Sequence, residues 1–182
     1  MKHLYFIRHG ESTANIINLT GTEDAGLTEN GINQATDAGK SAKEISLKFD
    51  VIISSPFPRA VNTAKLVAGE LGYSGEIELL DILKERWFGE LEGKFLTEET
   101  GRTLDYYYAN PLSIDDFPGV ERLADLHKRA EAVISYAKAR PEETVLLVSH
   151  AALARSILKV LKGIPYDKPI ETIENAKIIK LI

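Results

Sequence analysis

Three strand-length runs in this chain are apolar at every position: Leu4-Tyr5-Phe6-Ile7, Val51-Ile52-Ile53 and Val145-Leu146-Leu147-Val148. A strand with one wet face alternates apolar and polar side chains. An unbroken run needs cover on both faces, as parallel strands have when helices pack above and below them. Segments of helical periodicity separate the runs, at about 29–45 behind a Thr28 cap, 59–71, 123–139 and 152–161, and 76–80 and 177–182 read as further strands. This alternation predicts an α/β layer fold rather than a bundle or a β-sandwich. The 182 residues suit one domain, 1–182. Within it, 94–118 is polar and aromatic with weak periodicity and is expected to form a lid or specificity insert. Its Tyr106-Tyr107-Tyr108 is expected to pack that insert rather than stack on a ligand.

Composition narrows the chemistry. Cysteine is absent, which removes disulfides, thiolate zinc sites, iron–sulfur clusters and any cysteine nucleophile. Lys plus Arg is 22 against 27 Asp plus Glu, a net charge of −5, and the sequence pI is about 5.5. That balance argues against a general binder of nucleic acid or of anionic membranes, so any basic site is local. No signal-peptide core or membrane-span-length run is present, and a cytoplasmic protein is expected.

Two of the apolar runs end alike, in Arg8-His9-Gly10 and in Ser149-His150, and the third continues through Ser54-Ser55-Pro56 to Arg59 at a helix start. In open parallel sheets ligands bind beyond the carboxyl ends of the strands. If the first and last of these strands are neighbours, two imidazoles and two guanidinium groups meet at one crevice, with Gly10 permitting close backbone approach after His9. A single histidine at a strand end is ordinarily structural, and a single arginine is ordinarily a surface ion pair. Their convergence points to an oxyanion site. Arginine forks and a protonated imidazole suit the spread negative charge of a transferring phosphoryl group, and a neutral imidazole nitrogen can attack phosphorus. The helix following His150 adds free N–H groups that favour an anion. A carboxylic acid is then needed for the departing oxygen. Among Glu11, Asp24, Glu85, Glu90, Glu92 and Glu121, Glu85 has the best context, because the following Trp87-Phe88 can desolvate it.

These residues resemble the histidine phosphatase superfamily, which includes the cofactor-dependent phosphoglycerate mutases. Arg8-His9-Gly10-Glu11-Ser12 with Asn15 is similar to its N-terminal motif. Thr20-Gly21, Leu27-Thr28-Glu29-Asn30-Gly31 with Gln34-Ala35, and Ser54-Ser55-Pro56 with Arg59-Ala60 and Thr63-Ala64 follow in order. Glu85-Arg86-Trp87-Phe88-Gly89, Gly119-Val120-Glu121, Val148-Ser149-His150 and Asn175 complete the match. The resemblance implies a three-layer α/β/α sandwich around a mainly parallel sheet, with no metal and no cofactor. It implies that His9 is the phosphorylated nucleophile, that Arg8, Arg59 and His150 hold the phosphate, that Asn15, Thr20 and Gly21 contact substrate, and that Glu85 is the proton donor. Two positions depart from the family pattern: Ala151-Ala152 follow His150 where glycine is usual, and Ala14 stands where tryptophan is common.

The expected activity is hydrolysis of a small phosphomonoester through a phosphohistidine. The alternative is mutase-type phosphoryl transfer. Against it, the insert holds Lys94 and Arg102 but no adjacent arginine pair, and Glu90 and Glu92 repel a polyanionic substrate. A non-catalytic phospho-ligand binder and a metal hydrolase are the outside readings. The arginines disfavour a bound cation, and no His-x-x-x-His or aspartate cluster exists. The expected partner is a small phosphorylated metabolite; oligomeric state has no signal in the sequence.

Overall fold

The computed structural model describes residues 3–16, 25–94, 107, 109–110, 112–171 and 173–182. Strands β1 (His3–Arg8), β2 (Val51–Ser54), β3 (Ile77–Leu79), β4 (Thr144–Ser149) and β5 (Ile178–Lys180) form one sheet in the order β3-β2-β4-β1-β5. All neighbours are parallel except β1 and the closing β5. The helices are α1 (Thr13–Ile16), α2 (Glu29–Glu44), α3 (Pro58–Leu71), α4 (Leu123–Ala139) and α5 (Ala151–Lys162). Thr28 caps α2 as its sequence suggests, its hydroxyl accepting the Gly31 N–H at 3.0 Å.

Alternate residues of each central strand go to opposite faces, and the apolar runs fill both. Leu4, Phe6, Val51, Ile53, Val145 and Leu147 pack with Leu126, Ala130 and Val133 of α4 and with Leu153 and Ile157 of α5. On the other face Ile7, Ile52, Leu146 and Val148 pack with Ala60, Ala64 and Val67 of α3, and α2 lies alongside α3. This is the expected three-layer α/β/α sandwich. Each buried aliphatic side chain contributes about 1.5–3 kcal/mol, so the two-sided cover is what makes a continuous apolar strand stable here.

A smaller cluster of Phe88, Leu91, Tyr107, Ile114 and Val120 lies in and beside the insert. Tyr107 is buried there, as expected of a packing residue. Tyr106, Tyr108 and Arg102 lie outside the described residues, as do 95–101 and 103–105.

Candidate active site

The strand register brings the reactive residues together. Arg8 pairs with Ser149 across β1 and β4, and Ser54 pairs with Val148 across β2 and β4. The ladder runs one residue further, with His9 N–H bonded to the Ser149 carbonyl and Ser55 N–H to the Val148 carbonyl, each at 2.9 Å. His9, Ser55 and His150 therefore leave the sheet at one edge. The two imidazole rings lie 5.1 Å apart, centroid to centroid, so the neighbouring-strand condition set by the sequence is met.

His9 is buried, and its tautomer follows from its partners. Nδ1 is 2.7 Å from the Gly10 carbonyl, which only accepts, so Nδ1 carries the proton. Nε2 then presents its lone pair and accepts the Arg59 Nε–H at 3.3 Å. Burial, followed by the Arg59 and Arg8 charges, holds His9 well below the ordinary histidine pKa against a smaller opposing effect of the Gly10 bond. His150 is lowered likewise, first by burial, then by His9, Arg59, Arg8 and Arg129. Both shifts favour the neutral ring. The neighbouring arginines disfavour a proton on either ring.

The supports are specific. Gly10 donates its N–H to Thr63 Oγ1 at 3.0 Å, and Thr63 donates to the Arg59 carbonyl at 2.8 Å, joining the loop after β1 to α3. A Cβ on Gly10 would stand 2.3 Å from the Gly31 carbonyl oxygen, so this glycine serves the approach of loop to α2. His150 Nε2 lies 2.8 Å from Ser55 Oγ, and its buried Nδ1 has no partner among the described residues. Arg8 donates to the Ile173 carbonyl at 2.8 Å. Asn15 accepts from Ser12 N–H at 3.1 Å, and Asn175 Nδ2 donates to the His9 carbonyl at 2.8 Å. Thr20, Gly21 and Asp24 lie outside the described residues.

Glu85 reaches the same edge by a route the sequence did not suggest. Its carboxylate accepts N–H bonds from Ala152 at 3.0 Å, Leu153 at 3.3 Å and its neighbour Arg86 at 2.9 Å. It occupies the N-terminus of α5, directly after His150, where the sequence placed an incoming anion. Trp87 and Phe88 do not supply the expected dry surroundings: Trp87 is 48% exposed, and Phe88 belongs to the insert cluster. Trp87 lies on a loop edge, so its bulk is spent on solvent. Three of the other candidate carboxylates are otherwise engaged. Glu11 accepts from Thr28 Oγ1 at 2.7 Å, Glu92 accepts from Phe88 N–H at 2.7 Å, and Glu121 forms a two-point pair with Arg129.

Arg129 is the residue that sequence reasoning missed. From α4 it donates to the carbonyls of Ile82 (2.9 Å), Lys84 (2.6 Å) and Glu85 (3.2 Å), fixing the loop that carries Glu85. Beside it Arg86 is buried and bonds Tyr107 Oη at 3.1 Å, the Glu121 carbonyl at 2.8 Å and Asp115. The described residues contain no group of three or more metal-ligating side chains, and no helix among them is long and apolar enough to cross a membrane.

Fold and site define an α/β protein whose sheet edge gathers imidazole, guanidinium and carboxyl groups. The chain belongs to the histidine phosphatase superfamily (branch 1), whose family model matches residues 4–182. It is 35% identical over 177 residues to a 2,3-bisphosphoglycerate-dependent phosphoglycerate mutase of Parvibaculum lavamentivorans, covering 91% of this chain and 82% of that one. Among solved structures it is similar to Bacillus stearothermophilus YhfR, with a TM-score of 0.85 and 28% identity over 99% of this chain and 90% of that one. It is also similar to a phosphoserine phosphatase from Entamoeba histolytica, with a TM-score of 0.78 and 30% identity over 99% and 90%. Enzymes of the superfamily are phosphatases or mutases, and the chain is similar to both kinds.

Proposed function

We propose that the protein is a metal-independent phosphatase of a small phosphomonoester, working through a phosphohistidine on His9. The observation that carries this reading is the buried His9, its Nδ1 held by the Gly10 carbonyl and its Nε2 beside Arg59, with burial and the arginines lowering its pKa. Nε2 forms a bond to phosphorus as the ester P–O bond breaks. Arg8, Arg59 and His150 take the equatorial oxygens, and His150 Nδ1 is the ring nitrogen left for one of them. Glu85 gives its proton to the departing oxygen. Water then attacks the phosphohistidine, Glu85 recovers a proton from it, and inorganic phosphate leaves with His9 restored. Asn15 orients substrate from the nucleophile loop, and Thr20 and Gly21 belong to the same role by resemblance. The chain acts as one domain on a soluble phosphorylated metabolite, with no cofactor.

A mutase reading has support from the relatives that carry that name at 35% identity. Both activities share the phosphohistidine and differ in whether water or a retained product takes the phosphoryl group. A generic aryl phosphate, assayed with and without chelator, tests the proposal: turnover is expected to be unaffected by chelator and to fall about a thousandfold or more in His9→Ala. Trapped phosphate is expected on His9. Label on another residue, or loss of turnover in chelator, rejects the mechanism; isomerisation of 3-phosphoglycerate without phosphate release favours the mutase.

A further inference from the structure

The residue after Glu85 is an arginine whose side chain is committed to the insert. Arg86 is 1% exposed, and a guanidinium this buried needs an ionic partner and well-made hydrogen bonds. Asp115 of the insert supplies the charge. The insert's Tyr107 accepts from Nη1 at 3.1 Å, and the Glu121 carbonyl accepts from Nε at 2.8 Å. Asp115 is itself held, its second oxygen accepting the Leu123 N–H at 3.1 Å at the start of α4. The main chain follows the side chain. Glu121 donates its N–H to the Trp87 carbonyl at 2.9 Å, and Phe88 makes a bridge to Val120. A Cβ on Gly89 would stand 2.4 Å from the Pro118 carbonyl oxygen, and φ there is +54°, so glycine is what lets the two segments lie this close.

The two ends of Arg86 have different duties. Its guanidinium is fixed by the insert, while its backbone N–H donates to Glu85 Oε1 at 2.9 Å. The Glu85 carboxylate is thus held from α5 by the N–H groups of Ala152 and Leu153, and on its other side by one peptide whose place the guanidinium sets. Arg129 fastens the carbonyls of this loop to α4; Arg86 ties the loop to the insert. Resting on the phosphatase reading, we infer that Arg86 is a positioning residue, through which Tyr107 and Asp115 of the insert set the Glu85 carboxyl for proton transfer to the departing oxygen. The insert then acts on the acid itself and not only on the choice of substrate. A misplacement of about 1 Å in a reacting group costs about 100-fold in rate, so a small change in the insert is amplified at Glu85.

A series of aryl phosphates from phenyl to dinitrophenyl phosphate, compared by kcat/KM, reads the acid, because a poor leaving oxygen needs a proton and an activated one leaves without it. Tyr107→Phe removes one hydroxyl and keeps the ring. It is expected to lower the phenyl value about tenfold and the dinitrophenyl value less than about twofold. Arg86→Met is expected to lower the phenyl value about 100-fold, with Arg86→Lys recovering part of the loss. In a Glu85→Gln background neither Tyr107→Phe nor Arg86→Met is expected to cost anything further on phenyl phosphate. Equal losses on both esters, the same losses without the Glu85 carboxyl, or no loss in folded Tyr107→Phe overturns the inference. Tyr107→Phe decides by itself if Arg86→Met fails to fold. No hydrolysis of any ester by the unmutated enzyme rejects the phosphatase reading, whereas hydrolysis with an unchanged leaving-group profile in the variants rejects this inference alone.

Discussion

A histidine that is to attack phosphorus, the role proposed for His9, has to stay unprotonated, and burial and the neighbouring arginines lower the His9 pKa. The same arrangement makes a stability signature. In the unfolded chain both histidines titrate near pH 6.5; folded, both are depressed. A depressed base contributes its full stability above the unfolded value and loses it as pH falls below that value toward the folded one. The unfolding free energy from urea titrations is therefore expected to fall between pH 7 and 5.5, by up to about 1.4 kcal/mol per pH unit for each histidine. His9→Ala is expected to flatten that slope. At Glu85 the expectation concerns leaving groups: Glu85→Gln is expected to lower kcat about 100-fold or more on alkyl phosphates and much less on an activated aryl phosphate. Equal losses on both would contradict its role as the acid. These residues were legible because motif and strand end coincide on them. The contacts of Glu85 were not, because sequence shows which aromatics follow it but not that Ala152 and Leu153 bring their N–H groups to it.

Among the elements, the loop after β3 depends most on a partner far along the chain. Arg129 on α4 bonds three of its carbonyls and the Glu121 carboxylate. Arg129→Met leaves those carbonyls and a largely buried carboxylate without their donor, at a cost of about 3–5 kcal/mol. It is expected to lower kcat on alkyl phosphates with KM nearly unchanged, and Arg129→Lys is expected to restore part of it. Thermal unfolding and a kcat-against-KM comparison separate the two effects. The spacing of apolar residues located α4 within a residue of its ends, yet said nothing of what its polar face holds. An arginine in the middle of a helix with no motif around it looks like any solvated charge. The helix cap at Thr28, by contrast, is a local bond between a side chain and a turn, and local bonds are what sequence carries best.

At the scale of the molecule, the unbroken apolar runs revealed a doubly covered sheet but not the order of its strands. Run content is the same whichever strand lies in the middle. The antiparallel direction of β5 was equally hidden, since a short closing strand pairs either way. The assembled sheet edge concentrates positive charge, and inorganic phosphate is expected to stabilise the fold by about 2.7 kcal/mol at 100 times its Kd. A calorimetric scan would read that as a Tm rise of about 5–10 °C. Arg59→Met is expected to remove most of it.

The order β3-β2-β4-β1-β5 also fixes a sequence of events during synthesis. β1 and β2 are made first, but they never bond to each other: each pairs with β4, which lies between them. Until the ribosome has released residues 144–150, the first strand has no central neighbour and His9 has neither the Ser149 carbonyl nor His150 beside it. The nascent chain thus carries His9 for most of its manufacture without the surroundings the proposed chemistry needs, and a chain cut before Thr144 is expected to retain neither the sheet nor phosphatase turnover.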